Sequence, residues 1–585
     1  MDRIASGLHF LKNFMSQSIG PQMRATSEPV LVLVSRTVQF SSSARHETNV
    51  AIRSGRRQTQ SQQATTMEKA RKKMKKLSIA LTLGFALMVT ATARAQNNSE
   101  LKGDYAFSFT GMTTGDGSAS TPFAAVGRFT ADGTGNLTNG ELDSNGLGVS
   151  LGGVEKAVAL AFTGTYSIGA DHRGVMNLNI PGGGTLALAM LSNGNAKFAE
   201  IDASGNHGTV GSGTMEKVDT AAYNTARING DYAFGVAGLD QSNNRTAIAG
   251  RFTANGLGVV SNGAADENMS GRFSTLNLFA GTYMVTDTAT GRGTMNLPPV
   301  IGGSLPNLDF VFYVVNGGKL FAMDMDAVSP VTPLLVGSVL QQQTPIGGFT
   351  DASLNGGMVV YFTCGGVGSG GGGGLITANG IGGLTLTLDL GCVWGGGATN
   401  EPDTYAVAPN GRTDIRRRYG AYAAAYLVGT NQAFLITPDT STGTSAPSGF
   451  GEPQAAGPFA NSSVQGRYVG STMSPSSLYQ TIFSGEFTAD GASPTGTLTG
   501  TEDISAPSGA RLGVATTAQY SSISSEGIGS ISGNFGAIGN FPAPPGNDFP
   551  GTICVISPSR FIVLSSGNIS GSGPIVYPVL LIFEQ

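Results

Sequence analysis

Four copies of one sequence pattern fill most of this 585-residue chain, and a chain built of repeats is expected to fold as one supersecondary unit per copy. The pattern opens with Leu101-Lys102-Gly103-Asp104-Tyr105. The same phrase begins again at Ile228, at Leu354 and at Val464, where it keeps its central glycine while other residues change. The copies are roughly 120 residues long, which is the size of a small domain.

Two further phrases follow in the same order. The first is Gly-Arg-Phe-Thr-Ala-Asp-Gly at 127–133, and related phrases stand at 250–256, 374–380 and 485–491. The second is Gly-Thr-Tyr at 164–166, with Arg173-Gly174 after a turn, and related phrases stand at 281–283 and 403–405. Ordered matches of this kind indicate that all four copies share one fold.

The phrases have the character of hairpins. Asp-Gly and Asn-Gly are strong turn signals, because both residues tolerate a positive φ. They lie between segments that alternate apolar and polar residues, such as Tyr105, Phe107 and Phe109, and this period of two is typical of a strand with one buried face. No helical stripe follows residue 95, so we predict an all-β chain with roughly eight strands in each copy.

We predict that each copy is an antiparallel up-and-down β-barrel, because a last strand that pairs with the first hides both sheet edges. A β-sandwich is the alternative. The four β-repeats are predicted at 96–219, 224–343, 349–455 and 460–585. The linkers between them are short, which favours a stiff rod of barrels.

The residues before the repeats have the features of a leader. Residues 67–95 combine a lysine-rich start, an apolar segment and the sequence Ala93-Arg94-Ala95, which predicts a signal peptide cleaved after Ala95. An uncleaved anchor helix is the alternative. Residues 1–66 are interpreted as a mis-assigned start, with translation beginning at Met67 or Met74, or as a disordered leader. The protein is therefore expected to be secreted or held at the cell surface, with no membrane span in the mature chain.

Removal of this leader changes the charge of the chain. Residues 1–95 hold 15 of the 34 basic residues and 4 of the 38 acidic residues, so the mature chain carries a net charge of about −15. That charge excludes a basic surface of the kind that binds nucleic acid. It suits an exported protein.

The pattern Gly-x-Tyr … Gly-x-Phe-Thr-Ala-Asp-Gly … Gly-Thr-Tyr resembles a group of uncharacterised exported β-repeat proteins of environmental bacteria. The resemblance covers residues 101–585 and implies export and a β-repeat architecture. That group carries no established activity, so the resemblance implies none here. The pair Gly103-x-Tyr105 is also faintly similar to the Gly-x-Trp that opens lipocalin and avidin barrels, which is a likeness of shape.

Few residues suggest chemistry. His172 and His207 lie in turns of the first copy and have no counterparts in the others, so neither is interpreted as catalytic or as a zinc ligand. Asp132 and Asp490 are replaced by asparagine in the other two copies, which a turn tolerates and a catalytic acid does not. The sequence therefore predicts no catalytic residue, no cofactor and no enzyme.

Three other features have structural interpretations. Asp324 and Asp326 have the spacing of an incidental calcium site, but no metal site is predicted. The glycine tract at 365–374 lacks the Gly-Lys-Ser/Thr of a phosphate-binding loop and is interpreted as a hairpin loop. The basic cluster at 416–418 is isolated in an acidic chain and is interpreted as solvated.

The chain has three cysteines, and an exported protein can oxidise them. Cys364 and Cys392 lie at the ends of neighbouring strand-like segments and form a possible disulfide. Cys554 is then left over. The alternative is three buried thiols.

These features favour an exported, non-enzymatic structural or interaction protein of the cell surface or extracellular matrix, with an unknown surface or matrix partner. The alternative is a barrel that binds a small ligand, because an eight-stranded barrel has room for one. In that alternative, polar residues recur at inward positions in every copy.

Overall fold

A computed structural model describes residues 97–113, 121–146, 156–181, 183–202, 209–278, 281–298, 308–365, 371–389, 398–416, 422–437, 446–473, 481–506, 509–533, 535, 549–565 and 580–585. In these residues the secondary structure is almost all β, and the helices are five single 3₁₀ turns: Asn98–Glu100, Thr220–Ala222, Thr225–Arg227, Asp351–Ser353 and Asn461–Ser463. Within this described part, no helix has the length and hydropathy that a membrane crossing requires.

The strands fall into four groups, one for each copy of the pattern. Barrel 1 contains β1 (Lys102–Thr113), β2 (Thr121–Asp132), β3 (Asn136–Gly146), β4 (Ala157–Ile168), β5 (Arg173–Asn179), β6 (Thr185–Met190), β7 (Ala196–Glu200) and β8 (Thr209–Lys217). Barrel 2 contains β9 (Asn229–Leu239), β10 (Arg245–Asn255), β11 (Val259–Met269), β12 (Arg272–Leu278), β13 (Gly281–Asp287), β14 (Arg292–Asn296), β15 (Asp309–Asn316), β16 (Lys319–Asp324) and β17 (Leu334–Gln341).

The other two groups follow in the same order. Barrel 3 contains β18 (Asn355–Thr363), β19 (Gly371–Asn379), β20 (Gly383–Asp389), β21 (Ala398–Val407), β22 (Arg412–Arg416), β23 (Tyr422–Gly429), β24 (Gln432–Ile436) and β25 (Ser448–Pro453). Barrel 4 contains β26 (Gln465–Thr472), β27 (Ile482–Asp490), β28 (Thr495–Ala506), β29 (Gly509–Ser521), β30 (Ile528–Gly533), β31 (Phe549–Ser557), β32 (Arg560–Ser565) and β33 (Leu580–Glu584).

The predicted up-and-down antiparallel barrel is confirmed. In barrels 1, 3 and 4 each strand pairs with the next along the chain, and the last strand pairs with the first, so that the sheet is closed. Barrel 2 closes in the same way, but two strands, β12 and β13, pair with successive parts of β11. Together they occupy the place that β4 fills alone in barrel 1.

Each barrel is filled by its own side chains. Inward residues form one apolar cluster per barrel, and the largest fully buried side chains include Tyr105, Phe109, Phe129, Tyr232 and Tyr468. The interior cavity found in barrel 2 has a volume of about 10 Å³. That is scarcely room for one water molecule, so the interior described there has no space for a small ligand.

The opening phrase of each copy has a structural cause. Its glycine has a positive φ in all four copies (Gly103, Gly230, Gly356 and Gly466, between +96° and +119°), a conformation that disfavours other residues. In copies 1, 2 and 4 the residue two positions later is a fully buried tyrosine whose hydroxyl donates to a carbonyl oxygen in a distant turn, whereas copy 3 has Met358 there. In barrel 2, Tyr232 donates to Gly317 at 2.7 Å.

The tyrosine of the third phrase ties the two ends of the pattern together. Its hydroxyl donates to the carbonyl oxygen that stands two residues before the glycine of the opening phrase. The distances are 2.5–2.7 Å in all four copies, for Tyr166 with Leu101, Tyr283 with Ile228, Tyr405 with Leu354 and Tyr520 with Val464. These inward tyrosines therefore close the core instead of lining a ligand cavity.

The four barrels form a closed ring. Barrels 1 and 2, 2 and 3, and 3 and 4 bury apolar clusters against each other. Barrel 4 packs back on barrel 1, where Ile482 contacts Ala199 and Val210, and Lys197 pairs with Glu584 at 2.7 Å. The expectation of a stiff rod was therefore wrong, because outward side chains join the first barrel to the last.

The ring is built head to tail. Each barrel offers the outer face of its first three strands, and the next barrel offers the outer face of its last three or four strands. A heterologous contact of this type closes into a ring when the rotation per step is right. Strand β2 is accordingly buried on both faces along most of its length.

Candidate functional site

A buried ion pair is repeated at three of the four barrel interfaces. Between barrels 1 and 2, the carboxylate of Asp143 is fully buried and accepts two hydrogen bonds from Arg292, both at 2.8 Å. The hydroxyl of Tyr313 donates to the same carboxylate at 2.8 Å. Hydrogen bonding to Asp143 raises the pKa of Arg292, and burial raises the pKa of Tyr313 far above its usual range.

The same arrangement lies between barrels 2 and 3. Asp266 is fully buried and accepts from Arg412 at 2.7 and 3.1 Å and from the Tyr426 hydroxyl at 2.8 Å. Between barrels 4 and 1, Arg173 donates to Asp503 at 2.7 Å. These three arginines follow the Gly-Thr-Tyr phrase of their copies. The sequence analysis did not predict their ion pairs, because each partner aspartate belongs to another copy.

The interface between barrels 3 and 4 departs from this pattern. Asp389 stands at the matching register position on β20, but Ile528 occupies the place of the arginine on β30. An apolar cluster fills this interface. An ion pair is also present, but it joins Arg560 to Glu452 at 2.8 Å.

An open groove of about 960 Å³ lies between barrels 1 and 2, a volume within the range of ligand-binding clefts. Barrel 2 forms most of it with the outer face of β13, β14 and β15 and with the β10–β11 turn, and barrel 1 contributes Lys156 and Val158. Three side chains in its wall are apolar and yet exposed: Val158 (60%), Leu257 (84%) and Met284 (55%).

One end of the groove is polar and acidic. Asp309 lies in its wall beside Asn296, to which it is hydrogen-bonded, and Asp324 and Asp326 are close enough to affect each other's charge. Burial, reinforced by these carboxylates, raises the pKa of Asp324 to about 7. Lys156 is the neighbouring cation, and its ammonium group donates to the carbonyl oxygen of Met325.

A free strand edge begins at this groove. Residues 157–165 of β4 pair with β3, whereas β5 pairs only with residues 163–168. Among the described residues, 157–162 therefore have no strand partner on their second side. Barrels 3 and 4 repeat this in the first half of their fourth strand, and in barrel 2 the edge strand is β12.

The structure places Asp132 and Asp490 in turns, together with their counterparts Asn255 and Asn379. Each side-chain oxygen accepts hydrogen bonds from backbone N–H groups two or more residues later, such as Thr134 at 2.6 Å and Leu257 at 2.8 Å. Hydrogen bonds from the side chains of Thr134 and Asn136, together with the backbone bonds, lower the pKa of Asp132, and the backbone bonds lower the pKa of Asp490. Aspartate and asparagine both supply the oxygen, which explains their interchange.

The other residues singled out from the sequence are dispersed. His172 lies in a turn and contacts Glu100 at 2.7 Å, whereas Asp324 and Asp326 lie beside the groove. Arg416 is exposed at the end of β22. In the described residues, no three His, Cys, Asp or Glu side chains are grouped as a metal site would require.

The cysteine and cleavage predictions fall partly outside the described residues. Cys364 is fully buried and disulfide-bonded, and Cys554 is buried. Cys392, His207 and Ala95 lie outside the described residues. The pairing of Cys364 with Cys392 and the cleavage after Ala95 therefore stay predictions.

Comparison with known proteins adds little. No protein-family model matches the chain, and no curated protein matches it in sequence. Among solved structures, it is similar to a mutant of the vaccine antigen Transferrin Binding Protein B from Haemophilus parasuis Hp5, with 11% identity and a TM-score of 0.18 over 68% of this chain and 85% of that chain. A TM-score this low supports no inference about what this chain binds.

Proposed function

We propose that this protein is an exported, non-enzymatic interaction protein that acts as a rigid ring and binds a partner at the cell surface or in the extracellular matrix. The observation that carries the proposal is the closed ring of four filled barrels. Its interior positions are taken by packed side chains and its lateral faces by neighbouring barrels. What is left for binding is the outer surface, including the groove between barrels 1 and 2.

The rigidity of the ring supports this role. Ion pairs with fully buried carboxylates fix the angle between neighbouring barrels at two interfaces. A partner that contacts more than one barrel then meets a preorganised surface, and less entropy is lost on binding. The net charge of about −15 on the mature chain favours a partner with basic residues.

A small ligand is the second candidate, and the groove is the observation that favours it. Its volume of about 960 Å³ suits a ligand of drug size. In this candidate the ligand lies outside the barrels, between two of them, and not within a barrel as the sequence alternative assumed.

Chemical cross-linking on intact producing cells tests the proposal. The protein is recovered under denaturing conditions, the joined protein is identified by mass spectrometry, and purified samples of both are then tested for binding. We expect one partner to be recovered reproducibly and to bind the mature chain directly. A protein found only in the cytoplasm, or a stoichiometric small-molecule mass retained in native mass spectrometry with no protein partner, would contradict the proposal.

A further inference from the structure

We propose that the groove between barrels 1 and 2 binds an extended peptide segment of the partner, which adds a strand to the free edge of β4 and carries alternating apolar residues and a basic residue. This inference rests on the proposed function and names the chemistry of the partner.

The free edge supplies the main-chain part of the site. Residues 157–162 have backbone groups on one side that no described strand satisfies. An unpaired edge of this kind is a template for an added strand, whose main-chain hydrogen bonds provide affinity. Six residues of extended chain are about 20 Å long. The edge begins at the groove, because Lys156 and Val158 form the barrel 1 side of its wall.

The exposed apolar side chains supply the second part. Single exposed apolar residues need no explanation, but Val158, Leu257 and Met284 come from two barrels and line one groove. Alternate side chains of an added strand point toward the same face. A segment with apolar residues at every second position therefore places them against these three side chains.

The charge of the groove determines which charged residue the partner segment carries. The charge of Arg292 is matched by its two bonds to Asp143. At the polar end, among the described residues, the partly exposed carboxylates of Asp309 and Asp326 outnumber the ammonium group of Lys156. Opposite charges across an interface favour encounter and orientation, so the partner segment is expected to carry a lysine or arginine at this end.

A designed peptide tests the inference. The probe is acetyl-Lys-Val-Thr-Val-Thr-Val-amide with a fluorescent label, titrated with the full mature chain and followed by anisotropy. The variant Leu257→Asp places a charge in the groove, and we expect it to weaken binding by about tenfold or more. The matched control is Ile381→Asp, because Ile381 is 82% exposed in the corresponding turn of barrel 3 and outside the groove wall. It should bind the probe as the unaltered protein does.

A second measurement locates the bound strand. Hydrogen exchange of the mature chain should show added protection of residues 157–162 when the probe is bound. A probe with glutamate in place of lysine should bind more weakly, and added salt should reduce its affinity less than it reduces the affinity of the lysine probe.

Several results would overturn the inference. These are no binding of the lysine probe, equal binding to L257D and I381D, or protection confined to another part of the chain. Self-association of the chain with protection of 157–162 before any peptide is added would show that a second copy occupies the edge. If a captured partner binds L257D unchanged, the proposed function stands and this site is wrong.

Discussion

Removal of the Arg412 side chain should destabilise the contact between barrels 2 and 3. In Arg412→Met, the carboxylate of Asp266 stays fully buried but loses two hydrogen bonds, of 2.7 and 3.1 Å, and the cation with which it is paired. Loss of one partner from a buried ion pair costs about 3–5 kcal/mol. Arg412 is 22% exposed, and Tyr426 and Thr275 still donate to Asp266, so we expect the lower end, about 3 kcal/mol.

Far-ultraviolet circular dichroism during urea unfolding measures this effect, because the described secondary structure is almost all β. With a slope of about 2 kcal/mol per molar urea, a loss of about 3 kcal/mol lowers the midpoint by about 1.5 M. The matched control is Arg416→Met on the same strand, where the arginine is exposed and the expected change is within about 0.5 kcal/mol.

A double variant separates charge from packing. In Asp266→Asn with Arg412→Met, no unpaired charge is buried, so the double variant should be more stable than Arg412→Met alone. If Arg412→Met is no less stable than Arg416→Met, or if the double variant is the least stable of the set, the reasoning about the buried carboxylate is wrong.

Three further predictions concern the ring, a close backbone contact and a buried acid. A carbodiimide should join Lys197 to Glu584, 2.7 Å apart, in a peptide detectable by mass spectrometry, and an open chain of barrels would lack this cross-link. Gly238→Ala should lower the thermal midpoint by several degrees, because its methyl group would overlap a carbonyl oxygen of β17 and cost about 1–3 kcal/mol. The control is Gly317→Ala, where the nearest atom to the added methyl group is 3.4 Å away, and it should leave the midpoint unchanged. Burial raises the pKa of Asp324 to about 7, so the stability contributed by the protonated side chain is present below about pH 4 and is lost as the pH rises through 7. Asp324→Asn should therefore stabilise the protein by up to about 4 kcal/mol at pH 8 and much less at pH 4, and an equal gain at both values would contradict this assignment.

Much of each barrel could be predicted from the sequence because its signals are local. A glycine with positive φ, such as Gly103, is required by the backbone of its own turn, and an Asp or Asn at 132, 255, 379 and 490 is required by N–H groups a few residues later. The period-two segments then fix which side chains point inward. Closure of each sheet into a barrel could be predicted from the number of strands, because pairing the last strand with the first hides both sheet edges.

Charged residues that recur or exchange between the copies also reflect contacts in the fold. In barrel 1, Arg128 donates to Asp104 at 2.6 Å, and in barrel 4 the charges are exchanged, with Arg467 and Glu486 in the corresponding positions. Comparison of the copies at these positions would have predicted that the two strands are neighbours. The aspartates at 143, 266, 389 and 503 form another recurrent series.

The sequence alone determined the strands, the turns and the division into four barrels, because these depend on residues near one another along the chain. Only the tertiary structure decided that the barrels form a ring, that Asp503 meets Arg173, and that Val158 and Leu257 line one groove. These contacts join side chains on the outer faces of separate barrels. Their partners depend on the angle between barrels, and no local pattern encodes that angle.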